Sequence, residues 1–119
     1  MGRAMAVVLF TDLVGSTELR QRLGEEPADE LRRRHDQLIT QAVEANSGRV
    51  VKGLGDGIMA TFAGASDGVA ATVAIQQGID RLNRSGGNST PLAVRVGLSA
   101  GDVIFEDDDV HGTPVVEAA

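Results

Sequence analysis

Val50-Val51-Lys52-Gly53-Leu54-Gly55-Asp56-Gly57-Ile58-Met59-Ala60-Thr61-Phe62 reads as a β-hairpin. Val50 and Val51 open a strand, Gly53 to Gly57 turn it, and Ile58 to Phe62 return. The turn carries one acid, Asp56, where the first strand gives out. Upstream, Asn46-Ser47-Gly48 closes a helix whose Leu31, Leu38, Ile39, Ala42 and Val43 share one stripe at helical spacing, with Pro27 suited to its first turn. Gly24 ends a shorter helix, which Gly15-Ser16-Thr17 opens with a turn and hydroxyl caps. Before it, the β-branched apolar run through Val7, Val8, Leu9 and Phe10 predicts a central strand covered on both faces, followed by Asp12.

Downstream, Ser66 is the expected cap of a third helix carrying Ala71, Ile75, Ile79 and Leu82 on one face. Ser85 to Pro91 reads as a solvent loop, and the alternation of Leu92, Val94, Val96 and Leu98 as a strand with one face on the core. The acids Glu106 to Asp109 read as an exposed loop between Phe105 and a helix start at Gly112-Thr113-Pro114. The order β-α-α-β-β-α-β predicts an α+β fold: a ferredoxin-like core with an extra helix in its first crossover and helices on one side of a mainly antiparallel sheet. In that fold the first strand pairs with the hairpin, which sets Asp12 beside Asp56.

Two carboxylates at neighbouring strand ends repel unless a proton or cation separates them, and oxygen-only ligands suit a hard ion such as Mg²⁺ or Mn²⁺. Taken singly, Asp12 also reads as a helix cap and Asp56 as an ordinary turn former. His35 and His111 have no second histidine at metal-ligand spacing and read as packing or surface residues. Gly53-Leu54-Gly55-Asp56-Gly57 lacks the last glycine of a dinucleotide fingerprint and follows no βαβ pattern, which argues against a Rossmann site.

Composition narrows the field further. The 119 residues amount to one domain, 1–119. The absence of cysteine excludes disulfides and thiolate metal sites, and a net charge of −6 argues against a nucleic-acid surface. Arg32-Arg33-Arg34, the only basic run, reads as a solvated helix face. No stretch reaches the ~20 apolar residues that span a bilayer and no signal-peptide core opens the chain, so a cytoplasmic location is expected for this segment, with no bar to a membrane-anchored or regulated longer parent.

Phe10-Thr11-Asp12 and Lys52-Gly53-Leu54-Gly55-Asp56, in this order and spacing, resemble the class III nucleotide cyclases, the catalytic domains of most adenylate and guanylate cyclases. The resemblance runs from about Ala6 to the last residue, with Gly101, Asp102, Asp109, Gly112 and Val115 fitting the later pattern. It implies an adenylate cyclase that converts ATP to 3′,5′-cyclic AMP and pyrophosphate with two Mg²⁺ or Mn²⁺ ions. Asp12, Asp56 and the backbone carbonyl of Leu13 would ligate the metals. The NH groups around Val14, Gly15, Ser16 and Thr17, at a helix N-terminus, suit the β and γ phosphates. Lys52 would donate to adenine N1 and Asp109 accept from the adenine amino group, a pairing that favours ATP over GTP. On their own, Lys52 also reads as an edge-strand gatekeeper and Asp109 as a solvated loop acid. The family's site lies between two domains, so a homodimer is the implied assembly of the complete domain.

The chain departs from the family at its end. Val116 stands where a Gly-x-x-Val-Asn run places Asn, and the Arg four residues on would fall past Ala119, together with the last helix and strands. Weak or no turnover by these residues alone is therefore expected, and a non-catalytic pseudocyclase that binds nucleotide or a partner is the second reading. A diguanylate cyclase ranks below both, because no acid follows Asp56.

Overall fold

The computed structural model describes residues 2–85, 91–107 and 109–118. The elements run β1 (Gly2–Leu13), α1 (Ser16–Leu23), α2 (Glu25–Ala45), β2 (Arg49–Gly53), β3 (Ile58–Phe62), α3 (Ala65–Arg84), β4 (Val94–Glu106), β5 (Asp109–His111) and α4 (Thr113–Ala118). The sheet order is β2-β3-β1-β4-β5 and every neighbouring pair is antiparallel. Its first four strands have the predicted ferredoxin-like order. Of the loop expected over Ser85 to Pro91, residues 86–90 lie outside the described residues.

Two apolar clusters fill the two faces of the sheet. Val7, Leu9 and Leu13 of β1 pack with Ile58, Ala60 and Phe62 of β3 against Ile39, Val43, Ala71, Ile75 and Ile79 of α2 and α3. On the opposite face Ala6, Val8, Met59, Val103 and Val110 form the second cluster with Ala118 of α4. This is why β3 is buried at all five positions and why its sequence is apolar at every position but Thr61 rather than alternating. The expectation of helices on one side holds for α1 to α3 only, because short α4 lies on the second face.

Several local expectations are corrected. Among the described residues no side chain caps α1 or α3: Gly15, at φ 67, is the N-cap of α1, and extended Gly64 is that of α3, so Ser66 falls in the first turn. Leu92 is buried but precedes β4, because the Asn83 amide takes both its backbone groups, donating to its carbonyl at 2.8 Å and accepting from its NH at 2.7 Å. The acidic run is a hairpin turn, not a plain loop: β4 continues through Glu106 and β5 returns from Asp109, with Asp107 at φ 53.

The sheet curls far enough for its edges to meet. β2 and β5 lie at opposite ends of the strand order, yet Lys52 Nζ donates to Asp109 Oδ2 at 3.1 Å. The Arg49 guanidinium likewise stands 5.9 Å from the Phe105 ring centroid. Strand twist accumulated over the 12 and 13 residues of β1 and β4 carries the β4–β5 hairpin across the second face.

Candidate active site

Asp12 and Asp56 reach the same place through backbone pairing. β1 and β3 register Phe10 against Met59, and beyond that point the hairpin turn stays on β1. Leu13 NH donates to the Asp56 carbonyl at 2.8 Å, and Ile58 NH donates to Thr11 Oγ1 at 3.0 Å. Gly57 makes this seam possible, since a Cβ there would lie 2.9 Å from the Thr11 carbonyl carbon. Both acids line one cleft of about 490 Å³ with Phe10, Leu54, Arg95 and Gly97.

Each carboxylate already has a partner. Arg95 Nη2 donates to Asp12 Oδ2 at 2.7 Å, and Ser16 Oγ donates to Asp56 Oδ2 at 3.2 Å. Arg95 was not singled out in the sequence. It sits opposite Asp12 in the β1–β4 register, on the strand face away from Val94 and Val96. A lone cation inside an apolar alternation was the available signal, but the partner lies 83 residues away. Ser16, expected as a cap, instead ties α1 to the hairpin turn.

The β1–β4 register also orients the backbone at Leu13. Val14 NH donates to the Ala93 carbonyl at 2.8 Å, so Asp12 and Val14 direct their backbone groups toward β4 while Leu13 directs its own toward the hairpin. The Leu13 carbonyl therefore faces the Asp56 side. The same bond corrects the expectation for Val14, whose NH is committed to Ala93, and leaves Gly15, Ser16 and Thr17 as the phosphate candidates. Ser16 and Thr17 also border a smaller cavity of about 200 Å³ that shares Asp56 with the cleft.

Lys52 and Asp109 are brought together but do not line the cleft of Asp12 and Asp56. Asp109 accepts from Val110 NH at 2.8 Å as well as from Lys52, and these two bonds hold its carboxyl below the ordinary aspartate value. His35 is fully buried and shares a 2.8 Å hydrogen bond between Nδ1 and Asp36 Oδ1. His111 ends β5 and is exposed. Neither histidine joins the cleft.

Among the described residues no three Asp, Glu, His or Cys side chains gather into a metal-holding group. The two solvent-reachable carboxylates of the cleft are oxygen donors of the kind a hard divalent cation takes, and Leu13 borders the neighbouring cavity that shares Asp56. Among the described residues no helix is long and apolar enough to cross a membrane.

No family model matches the chain. It is 32% identical over 117 residues to putative adenylate cyclase 3 of Rhizobium meliloti (strain 1021), which covers 98% of this chain and 20% of that protein. It is 36% identical over 108 residues to an adenylate cyclase of Streptomyces griseus, covering 91% of this chain and 26% of that protein. It is also 34% identical over 113 residues to serine/threonine-protein kinase pkn2 of Myxococcus xanthus, covering 93% of this chain and 14% of that protein. The chain thus spans about a quarter or less of these relatives. An adenylate/guanylate cyclase/hydrolase from Silicibacter pomeroyi has a TM-score of 0.80 at 28% identity, the match covering 99% of this chain and 68% of that one. Similarity to two adenylate cyclases along nearly the whole chain, with the same fold in a solved cyclase, makes this chain a member of the class III adenylate/guanylate cyclase catalytic-domain family.

Proposed function

We propose that this domain serves the conversion of ATP to 3′,5′-cyclic AMP and pyrophosphate, at a site completed by a second copy. The observation that carries the reading is the convergence of Asp12 and Asp56 on one cleft beside the N-terminus of α1. Mg²⁺ or Mn²⁺ ions, held by Asp12, Asp56 and the Leu13 carbonyl, would lower the pKa of the attacking hydroxyl and neutralise phosphate oxygens. The backbone NH groups of Gly15, Ser16 and Thr17 hold the β and γ phosphates, a role that suits the positive end of a helix. The ribose 3′ oxygen gives its proton to solvent water and bonds the α-phosphorus, and the bond from that phosphorus to the bridging oxygen breaks to release pyrophosphate.

Lys52 and Asp109 read the base. Adenine presents an acceptor at N1 and a donor at its amino group, matching an ammonium donor and a carboxylate acceptor. The two side chains are neighbours at 3.1 Å, and they lie apart from the cleft of their own protomer. A homodimer with a two-fold axis lets the pair of one protomer serve the acids of the other, twice over.

Asp12→Asn and Asp56→Asn test the reading. Each should abolish Mn²⁺ binding measured by calorimetry while far-UV circular dichroism stays unchanged. Undiminished binding in the double variant would end it. A second reading, a pseudocyclase that binds nucleotide without turnover, is favoured by Val116, which is 77% exposed on α4 where the family resemblance calls for Asn. Nucleotide binding without cyclic AMP formation in the dimeric protein would select it.

A further inference from the structure

We infer a second binding site, for a small apolar carboxylate, at the end of the sheet away from Asp12 and Asp56. A cavity of about 310 Å³ opens there between the start of β2, the end of β3 and the first residues of β1, with Phe105 of β4 in its wall, and it shares no lining residue with the cleft of the two acids. Three strands bring donors to it. Arg49 and Thr61 are register partners across β2 and β3, so both side chains leave the face that also carries Val8 and Met59. Thr61 is 6% exposed and, among the described residues, its hydroxyl meets no hydrogen-bonding partner, so it opens only to the cavity that it lines. The Arg49 guanidinium stands 5.9 Å from the Phe105 ring centroid and, among the described residues, against no carboxylate, in a chain of net charge −6. The third donor is backbone. The β1–β3 ladder ends at Val7 and Phe62, and by strand alternation Met5 turns its NH and carbonyl to the side that β3 has left.

The donors call for an anion, and the walls limit which one. One guanidinium matches one negative charge, whereas a phosphate dianion would leave a second charge uncompensated beside apolar side chains. A carboxylate on a compact apolar body meets both demands: its oxygens accept from Arg49, the Thr61 hydroxyl and the Met5 NH, and its body lies on Phe105, Ala4 and Ala6. The volume is at the small end of what ligand pockets have. Occupancy also reaches the sheet edges, because β2 and the β4–β5 hairpin are joined by Arg49 on Phe105 and by Lys52 on Asp109. A ligand that takes the guanidinium and rests on the ring enters the first bridge and shifts how the second is held. That makes the site a regulatory input to base selection. This consequence rests on Lys52 and Asp109 as the base readers; the site itself does not.

Benzoate is the probe, on the full chain without metal or nucleotide. Calorimetry should give saturable benzoate binding. Acetate, which lacks the body, benzyl alcohol, which lacks the charge, and inorganic phosphate should each bind severalfold more weakly. Arg49→Gln should weaken benzoate about two- to fivefold, the range for loss of an exposed ion pair, and Arg49→Lys should weaken it less. Thr61→Val should weaken it about two- to tenfold, while Thr61→Ser, which keeps the hydroxyl, stays near the parent. In amide NMR spectra of the parent, benzoate should move Met5, Thr61 and Phe62 together with Val110, whose NH bonds Asp109, and leave Gly15 and Ser16 in place. No saturable benzoate binding, or binding that Arg49→Gln leaves unchanged with circular dichroism intact, would overturn the site. Movement confined to Gly15 and Ser16 would put the anion at α1 and overturn it as well. Movement of Thr61 with Val110 still would overturn the link to Lys52 and Asp109 alone.

Discussion

Gly57→Ala probes the seam that carries Asp56 to Asp12. Gly57 is buried immediately before β3 and does not have a positive φ, so its backbone accepts an L side chain and the substitution tests space alone. The added methyl would overlap the Thr11 carbonyl oxygen, lie 2.9 Å from the Thr11 carbonyl carbon and lie 3.5 Å from the Asp12 Cα. Carbon contacts prefer about 3.5–4.0 Å, so the hairpin turn has to back away from β1 by on the order of 1 Å. The two hydrogen bonds across the seam, Leu13 NH to the Asp56 carbonyl and Ile58 NH to Thr11 Oγ1, then leave bonding range. Overpacking of this kind costs about 1–3 kcal/mol and each of the two lost bonds about 1 kcal/mol, giving a loss of about 3–5 kcal/mol. For a domain of this size that lowers Tm by about 12–20 °C. Gly53→Ala is the control, since a Cβ there meets nothing within 4 Å, and it should stay within about 0.5 kcal/mol of the parent. Thermal melts followed by circular dichroism, paired with Mn²⁺ calorimetry below the lower Tm, measure both effects. If Gly57→Ala melts with Gly53→Ala and binds Mn²⁺ like the parent, the seam does not position Asp56.

Two further expectations concern the Lys52–Asp109 pair. Exchanging its chemistry, with Lys52→Glu and Asp109→Cys together, should lower the preference for ATP over GTP in competition binding to the dimeric protein, and an unchanged ratio would mean that these side chains do not read the base. The pair should also mark the acid limb of stability. Asp109 titrates below 3.8 in the folded chain, held there first by Val110 NH and then by Lys52, so its stabilisation is present above about pH 3.8 and is lost as pH falls through the lowered folded value. The Tm gap between the parent and Asp109→Asn should hold steady from neutral pH down to about pH 5 and close below about pH 3.8; a gap that survives into stronger acid would refute the assignment.

What the sequence made legible follows from how local each signal was. The β2–β3 hairpin and the buried stretch of β1 could be read because glycine clusters and apolar runs act over neighbouring residues, and the strand order then followed from connection rules. β5 could not be read, since three residues, Asp109-Val110-His111, carry no period and exist as a strand only through pairing with Ile104 to Glu106. Ser16 looked like a cap because hydroxyls at helix starts usually are. Gly15 at φ 67 occupies that position instead and turns the Ser16 hydroxyl toward Asp56, 40 residues on. The Asp12–Arg95 bond depends on a β1–β4 register spanning 83 residues, which no local pattern encodes.

The three acids assigned to the candidate site share one physical arrangement. Asp12 has Arg95, Asp56 has the Ser16 hydroxyl, and Asp109 has Lys52 and the Val110 NH. Like charges left unpaired in such a cleft would push one another away. With partners already in place, the fold does not need a metal to hold these groups near one another. Arg95 and Lys52 are exposed, and exposed pairs contribute little, so exchanging them for a cation, a phosphate or a base edge costs little in stability. The apolar clusters on the two sheet faces carry the fold, while the acids are held only as firmly as a replaceable partner allows. That separation lets a small domain keep negative charges at a cleft without folding coming to depend on what fills it.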